Sequence, residues 1–221
     1  MKSENVVVIA PHPDDEVLGV GGTISRLSNQ GCLVNILYVS GHLPPLYDET
    51  VFAETRAEAE NACQLMGVNN YDFLKIPATF VQSTPTAELN FKIKTFIDKN
   101  NADTVFVPFP DRHIDHRIIF DACLVSCRPT SKHFPKMVLA YETLSETHWN
   151  ASGIEPYFAP DVFIDISNFF SVKRKALECY NSQISENNSR SIEACHALSK
   201  FRGSQNGCEL AEAFKLVRLV L

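Results

Sequence analysis

The sequence predicts an α/β fold built on a mostly parallel sheet, and three observations carry that reading. Residues 6–10 and 104–108 are short apolar runs rich in β-branched side chains, the pattern of strands buried on both faces. Prolines stop each run, and helical periodicity resumes after the polar loop that follows. At 221 residues, with 45% apolar and 21% charged content, the chain suits one α/β domain spanning 1–221 with a sizeable core.

Taken in order, residues 6–10 form the first strand. Pro11 and Pro13 end its pairing, so His12, Asp14, Asp15 and Glu16 emerge in a loop beyond its carboxyl end, where open α/β sheets bind ligands. The glycine-rich residues 18–23 and then 24–30 follow the acidic loop, completing a strand, loop and helix with Gly31 as the helix's C′ residue. Glycines after a strand invite a dinucleotide-binding reading. The carboxylates oppose it, because a pyrophosphate would have to approach where Asp14, Asp15 and Glu16 stand. The glycines are better explained by close packing of helix on sheet.

Residues 33–39 read as the second strand, followed by a loop carrying His42. A helix over 50–66, closed by Gly67, places Arg56 near its start. Residues 71–76 make a third strand, 78–86 a threonine-rich loop, and 88–99 a helix whose stripe is Leu89, Ile93, Phe96 and Ile97. The fourth strand, 104–108, leads through a second polar loop into a helix over 118–127. Strands at 136–141 and 162–166, a helix at 172–180 and a closing amphipathic helix at 209–217 complete the expectation. Trp149 reads as core.

A formal charge of −6 disfavours nucleic acid and anionic membranes as partners, although local basic residues suffice to hold an anionic substrate. Residues 1–5 run directly into the first strand, and no apolar stretch approaches the ~20 residues that span a bilayer. The expectation is a cytoplasmic protein without stable membrane association. Seven cysteines, an odd number without CxxC spacing, read as small buried hydrophobes. A homo-oligomer is neither indicated nor excluded.

The chemistry lies in the two polar loops. Three carboxylates beside an imidazole repel one another unless a cation sits among them. His12 and Asp15, three positions apart, suit one ion, leaving Asp14 beside it. The competing account is a capped, solvated loop, with Asp14 or Asp15 as helix N-cap. Residues 109–117 repeat the logic: His113 and His116 lie about one turn apart, and Asp115 is available to support an imidazole. Here too the competing account is capping, by Asp111 or Asp115. His12, Asp15 and His116 together make a 2-His-1-carboxylate set with an open position, the count of a catalytic site. Zinc suits it, and so does Fe(II) or another divalent ion. Arg56 has two readings, an i,i+4 ion pair with Glu60 or a contact to substrate hydroxyls.

These residues resemble the LmbE/PIG-L family of metal-dependent N-acetylglucosaminyl deacetylases. His12-Pro13-Asp14-Asp15-Glu16 and His113-Ile114-Asp115-His116-Arg117 are similar to its HPDDE and HPDHR signatures. Arg56-Ala57-Glu58-Ala59-Glu60 resembles its arginine-led helix, Lys175-Ala176 with Ser182-Gln183 its K-x-x-A…H-x-S-Q segment, and Ala211-Glu212-Ala213-Phe214 its usual ending. The resemblance implies a Rossmann-like three-layer sandwich with zinc on His12, Asp15 and His116. It further implies Asp14 as general base, His113 as stabiliser of the tetrahedral intermediate, Asp115 holding an imidazole, and Arg56 and Arg112 as substrate contacts. Ile114, Tyr180 and His42 depart from the family's usual proline, histidine and glutamate.

The implied activity is removal of the N-acetyl group from an amino-sugar conjugate, a small molecule whose attached group the sequence does not name. Alternatives are a deacylase of a non-sugar amide and a non-catalytic metal- or sugar-binding module on the same scaffold. A metallophosphoesterase would often need two ions, and the residues supply convincing ligands for one.

Overall fold

The computed structural model describes residues 3–130, 133–184 and 189–221, so Met1 and Lys2 of the N-terminal lead-in lie outside it. Its strands are β1 (Asn5–Ala10), β2 (Leu33–Gly41), β3 (Asn70–Pro77), β4 (Thr104–Pro108), β5 (Met137–Tyr141), β6 (Val162–Asp165) and β7 (Ala211–Leu219). They form one seven-stranded sheet in the order β3-β2-β1-β4-β5-β7-β6. The first five run parallel, and β7 is antiparallel to both neighbours.

The apolar runs behave as doubly buried strands. Val6, Val8 and Ala10 enter one core, and Val7 and Ile9 the other. The first core is closed by α1 (Asp15–Asn29), α2 (Glu49–Met66) and α5 (Phe170–Leu177), the second by α3 (Thr86–Lys99) and α4 (Ile114–Ser126). Leu89, Ile93, Phe96 and Ile97 are the buried stripe of α3. The result is a three-layer α/β sandwich. No helix among the described residues is long and apolar enough to cross a membrane.

Several expectations need correction. The polar loop is shorter than the sequence suggests: α1 starts at Asp15 and runs through the glycines. Their packing role accounts for them, since a Cβ at Gly19 would lie 2.3 Å from Tyr141 Cδ2 and one at Gly22 2.7 Å from Ile166 Cδ1. The closing segment is strand β7, not a helix. Ala, Glu, Lys and Leu favour helix in isolation, but here the backbone pairs with β5 on one side and β6 on the other, and that pairing decides. Helix α6 (Ile192–Ser204) went unread because its buried face is Cys195, Ser199, Arg202 and Gly203, which makes no apolar stripe. Trp149 is 52% exposed and not core. Five of the seven cysteines are buried, and Cys179 and Cys208 are only partly so.

Candidate metal centre

Strand order reverses between β1 and β4, which opens a crevice at their carboxyl ends. His12 follows β1, Asp15 opens α1, and His116 sits in the first turn of α4, the helix after β4. Asp15 Oδ2 lies 3.2 Å from His12 Nδ1 and 3.3 Å from His116 Nε2. Each ring bonds an outer carboxylate through its other nitrogen: His12 Nε2 meets Asp115 Oδ2 at 3.0 Å, and His116 Nδ1 meets Asp111 Oδ1 at 3.0 Å. These outer bonds place a proton on the far nitrogen and turn the near nitrogen of each ring toward Asp15.

Two nitrogen lone pairs and a carboxylate oxygen facing one another need a cation between them. Donor spacings of 3.2 and 3.3 Å match the edge of a tetrahedron with bonds of about 2.0–2.1 Å, so the set fits a small divalent ion. With protons as the only cations, the rings become strongly basic. Burial opposes this, but hydrogen bonds to Asp115 and Asp15 raise the His12 pKa to about 9, and Asp15 and Asp111 raise that of His116 to about 10. Burial also acts to raise the Asp15 carboxyl, yet the two histidines hold it well below the usual range.

His113 joins the same group, since one ring nitrogen from each of His12, His113 and His116 lies within 4.8 Å of the others. Its bonding differs. As N-cap of α4 it accepts the Asp115 N–H at Nδ1, 3.1 Å away, so a neutral ring carries its proton on Nε2 and donates there. Burial first, then the charges of His12 and His116, push its pKa down to about 4. It is thus a neutral donor.

Asp14 occupies the N-cap position of α1 but caps nothing with its side chain. Its φ of 113° is strained for an L residue, and its N–H donates to Glu16 Oε2 at 3.1 Å. Burial chiefly, and Asp15 next, raise the Asp14 pKa to about 8, against the pull of Arg190. Glu16 is itself buried and accepts from the Tyr180 hydroxyl; Tyr180, the departure from histidine, therefore still supports the acidic loop. Arg190, which sequence reading passed over, donates from Nη1 to Asp14 Oδ2 at 3.1 Å. No motif pointed to it, because it stands alone in a polar segment. Asp111, one of the two candidates for a cap in the competing account, both accepts from the His113 N–H and holds His116.

Arg56 is not drawn into this cluster. Its Nε pairs with Glu60 at 2.8 Å, and its guanidinium lies over the Phe73 ring at 5.2 Å. Arg112, on the loop before α4, donates to the Trp149 carbonyl at 3.1 Å. Buried polar atoms without a partner lie at these strand ends: Ser40 Oγ, His42 Nδ1, Asp115 Oδ1 and Thr143 Oγ1. A polar ligand would satisfy atoms of this kind. A cavity of about 940 Å³ between α5 and α6, lined by Phe170, Arg174, Tyr180 and His196, includes none of His12, Asp15, His113 and His116.

Known proteins of this build include amino-sugar deacetylases. Diacetylchitobiose deacetylase of Thermococcus kodakarensis is 27% identical, over 97% of this chain and 83% of its own length. The probable N-acetyl-alpha-D-glucosaminyl L-malate deacetylase 2 of Bacillus cereus is 28% identical, over 81% of this chain and 83% of its own. The crystal structure of the 4-carboxy-2-hydroxymuconate hydratase of Pseudomonas putida superposes with a TM-score of 0.79 at 18% identity, covering 99% of this chain and 98% of that one. That last likeness is one of fold. The model of the family described as PIG-L, GlcNAc-PI de-N-acetylase, matches residues 7–126, and the chain belongs to that family.

Proposed function

We propose that this chain, acting as one deacetylase domain over 1–221, removes the N-acetyl group from N-acetylglucosamine-type conjugates with the help of a divalent ion, zinc being the ion expected. The observation that carries the reading is the pair of imidazoles facing Asp15 Oδ2, each backed by an outer carboxylate. His12, Asp15 and His116 would hold the ion. His113 is the weaker ligand, because the N–H donated to its Nδ1 keeps its Nε2 protonated.

Bound zinc lowers the pKa of water toward about 7 and polarises a carbonyl. Asp14 takes a proton from the attacking water as oxygen bonds to the acetyl carbon. His113 donates its Nε2–H toward the oxygen that gains charge, and needs no protonation to do so. The amide C–N bond then breaks, and the proton held by Asp14 passes to the departing amine, giving acetate and a free amino sugar. Asp115 acts through His12 by fixing its ring. Arg56 and Arg112 remain the proposed substrate contacts: Arg112 stands on the loop between β4 and α4, and Arg56 would have to leave Glu60 and the Phe73 ring.

The test is acetate release from N,N′-diacetylchitobiose and other N-acetylglucosaminyl conjugates, using protein stripped by chelator and reloaded with zinc, with His116→Ala in parallel. Release that needs the metal and vanishes in the variant supports the reading. Tight metal binding with every conjugate left intact would remove the amino-sugar substrate and favour either a non-sugar amide or the hydration chemistry of the fold relative. Absence of metal binding would remove the reading altogether.

A further inference from the structure

We propose that Arg190 is a positioning residue for Asp14: it fixes one carboxylate oxygen, Oδ2, so that the other, Oδ1, is presented to the water that loses its proton. The inference rests on the reading of Asp14 as base, and it assigns a role to a residue that lies outside both metal signatures.

The guanidinium is held through three different nitrogens. Nη1 donates to Asp14 Oδ2 at 3.1 Å, Nη2 to Glu146 Oε1 at 3.3 Å, and Nε to Ser145 Oγ at 2.9 Å. Three bonds from one rigid plane leave little freedom in its direction. Its neighbour Ser191 accepts the Ala194 N–H and caps α6, which ties the backbone of Arg190 to that helix. The arginine thus joins three parts of the fold: the start of α6, the loop after β5, and the entry to α1.

Asp14 needs such a hold. Its main chain is pinned in a strained conformation by Glu16, but the terminal torsion of a carboxylate is broad and roughly two-fold, so a fixed backbone does not choose which oxygen faces the reaction. Among the described residues only Oδ2 has a hydrogen-bond partner, and that partner is Arg190. Lysine would keep the charge while losing the planar fork, so charge and direction are separable by substitution.

The experiment compares zinc-loaded wild type, Arg190→Ala, Arg190→Lys, Asp14→Asn and the Asp14→Asn/Arg190→Ala double variant on N,N′-diacetylchitobiose, with bound zinc measured for each. The expected result is a fall in kcat of about 10²-fold for Arg190→Ala with KM changed less than about two-fold, since small misplacements of a reacting group have effects of that size. Arg190→Lys should fall in between, added guanidinium should restore part of the Arg190→Ala loss, and bound zinc should stay at wild-type level. In the Asp14→Asn background the arginine substitution should cost nothing further. An unchanged kcat, a rise in KM alone, or an additive loss in the double variant would each overturn the role. Full activity in Asp14→Asn would instead remove the base on which the inference rests. Should Arg190→Ala fail to fold, the kcat and KM of Arg190→Lys decide the question.

Discussion

Asp111 illustrates how a single carboxylate can read as a cap and act as more. Its oxygens accept from the His113 N–H, the His116 ring and the Thr147 hydroxyl, so it orients both histidines of the second signature. Outer carboxylates of this kind usually contribute 10–100-fold to metal affinity. Asp111→Asn is therefore expected to weaken zinc binding by about that factor, read by competition with a chromophoric chelator, while the far-ultraviolet dichroism stays unchanged. An affinity within about two-fold of wild type would mean that His116 needs no charged support. His12, Asp15 and His116 were legible as candidates because strand-ending prolines isolate them at carboxyl ends. Asp111 and Arg190 were not legible as site residues, because an aspartate before a helix and a lone arginine in a loop each have a commoner structural use.

At the scale of elements, α1 and β7 explain each other. Glu212 of β7 accepts the Gly22 and Thr23 N–H groups, and Lys173 of α5 donates to the Leu18 carbonyl and to Glu212 at 2.6 Å. A buried ion pair is thus inserted into the hydrogen bonding of α1, and Gly21 leaves room for the lysine stem, since a Cβ there would lie 3.3 Å from Lys173 Cγ. Lys173, not the exposed Lys175, is the buried lysine of this segment and stands three residues before Ala176. Lys173→Met should destabilise the fold by about 3–5 kcal/mol, because it leaves the Glu212 carboxylate buried without its cation. Lys175→Met should stay within about 0.5 kcal/mol of wild type. Urea unfolding of the two variants separates the outcomes; equal midpoints would deny the pair its structural role. The helix expected over 209–217 failed for the same reason: local propensity is worth tenths of a kcal/mol per residue, less than two flanking ladders and a buried pair.

For the molecule as a whole, the site is a product of strand order. Residues 12–16 and 111–116 are about a hundred positions apart, and they meet because β1 and β4 are neighbours at the point where the sheet changes direction. This concentrates Asp14, Asp15, Glu16, Asp111 and Asp115 in one buried place, with His12, His116 and Arg190 as their nearest cations. A bound divalent ion should therefore stabilise the fold. At 100 times its Kd, an ion that binds only the native state adds about 2.7 kcal/mol, which for a chain of this size raises Tm by about 5–10 °C. Calorimetry of stripped and zinc-loaded protein checks this, and coincident transitions would argue against a metal centre built into the native state.

What the sequence determined by itself was local: the doubly buried strands, the helix periods, and the chemistry emerging at two strand ends, all of which follow from steric and hydrophobic patterns within a few residues. What the tertiary structure alone decided was which groups face which. It set the antiparallel placement of β7, the exposure of Trp149, the neutral donor state of His113, the outer carboxylates on His12 and His116, and the arrival of Arg190 at Asp14. Those depend on distances between segments far apart along the chain, and a side chain's protonation and orientation are set by the partners that folding brings to it.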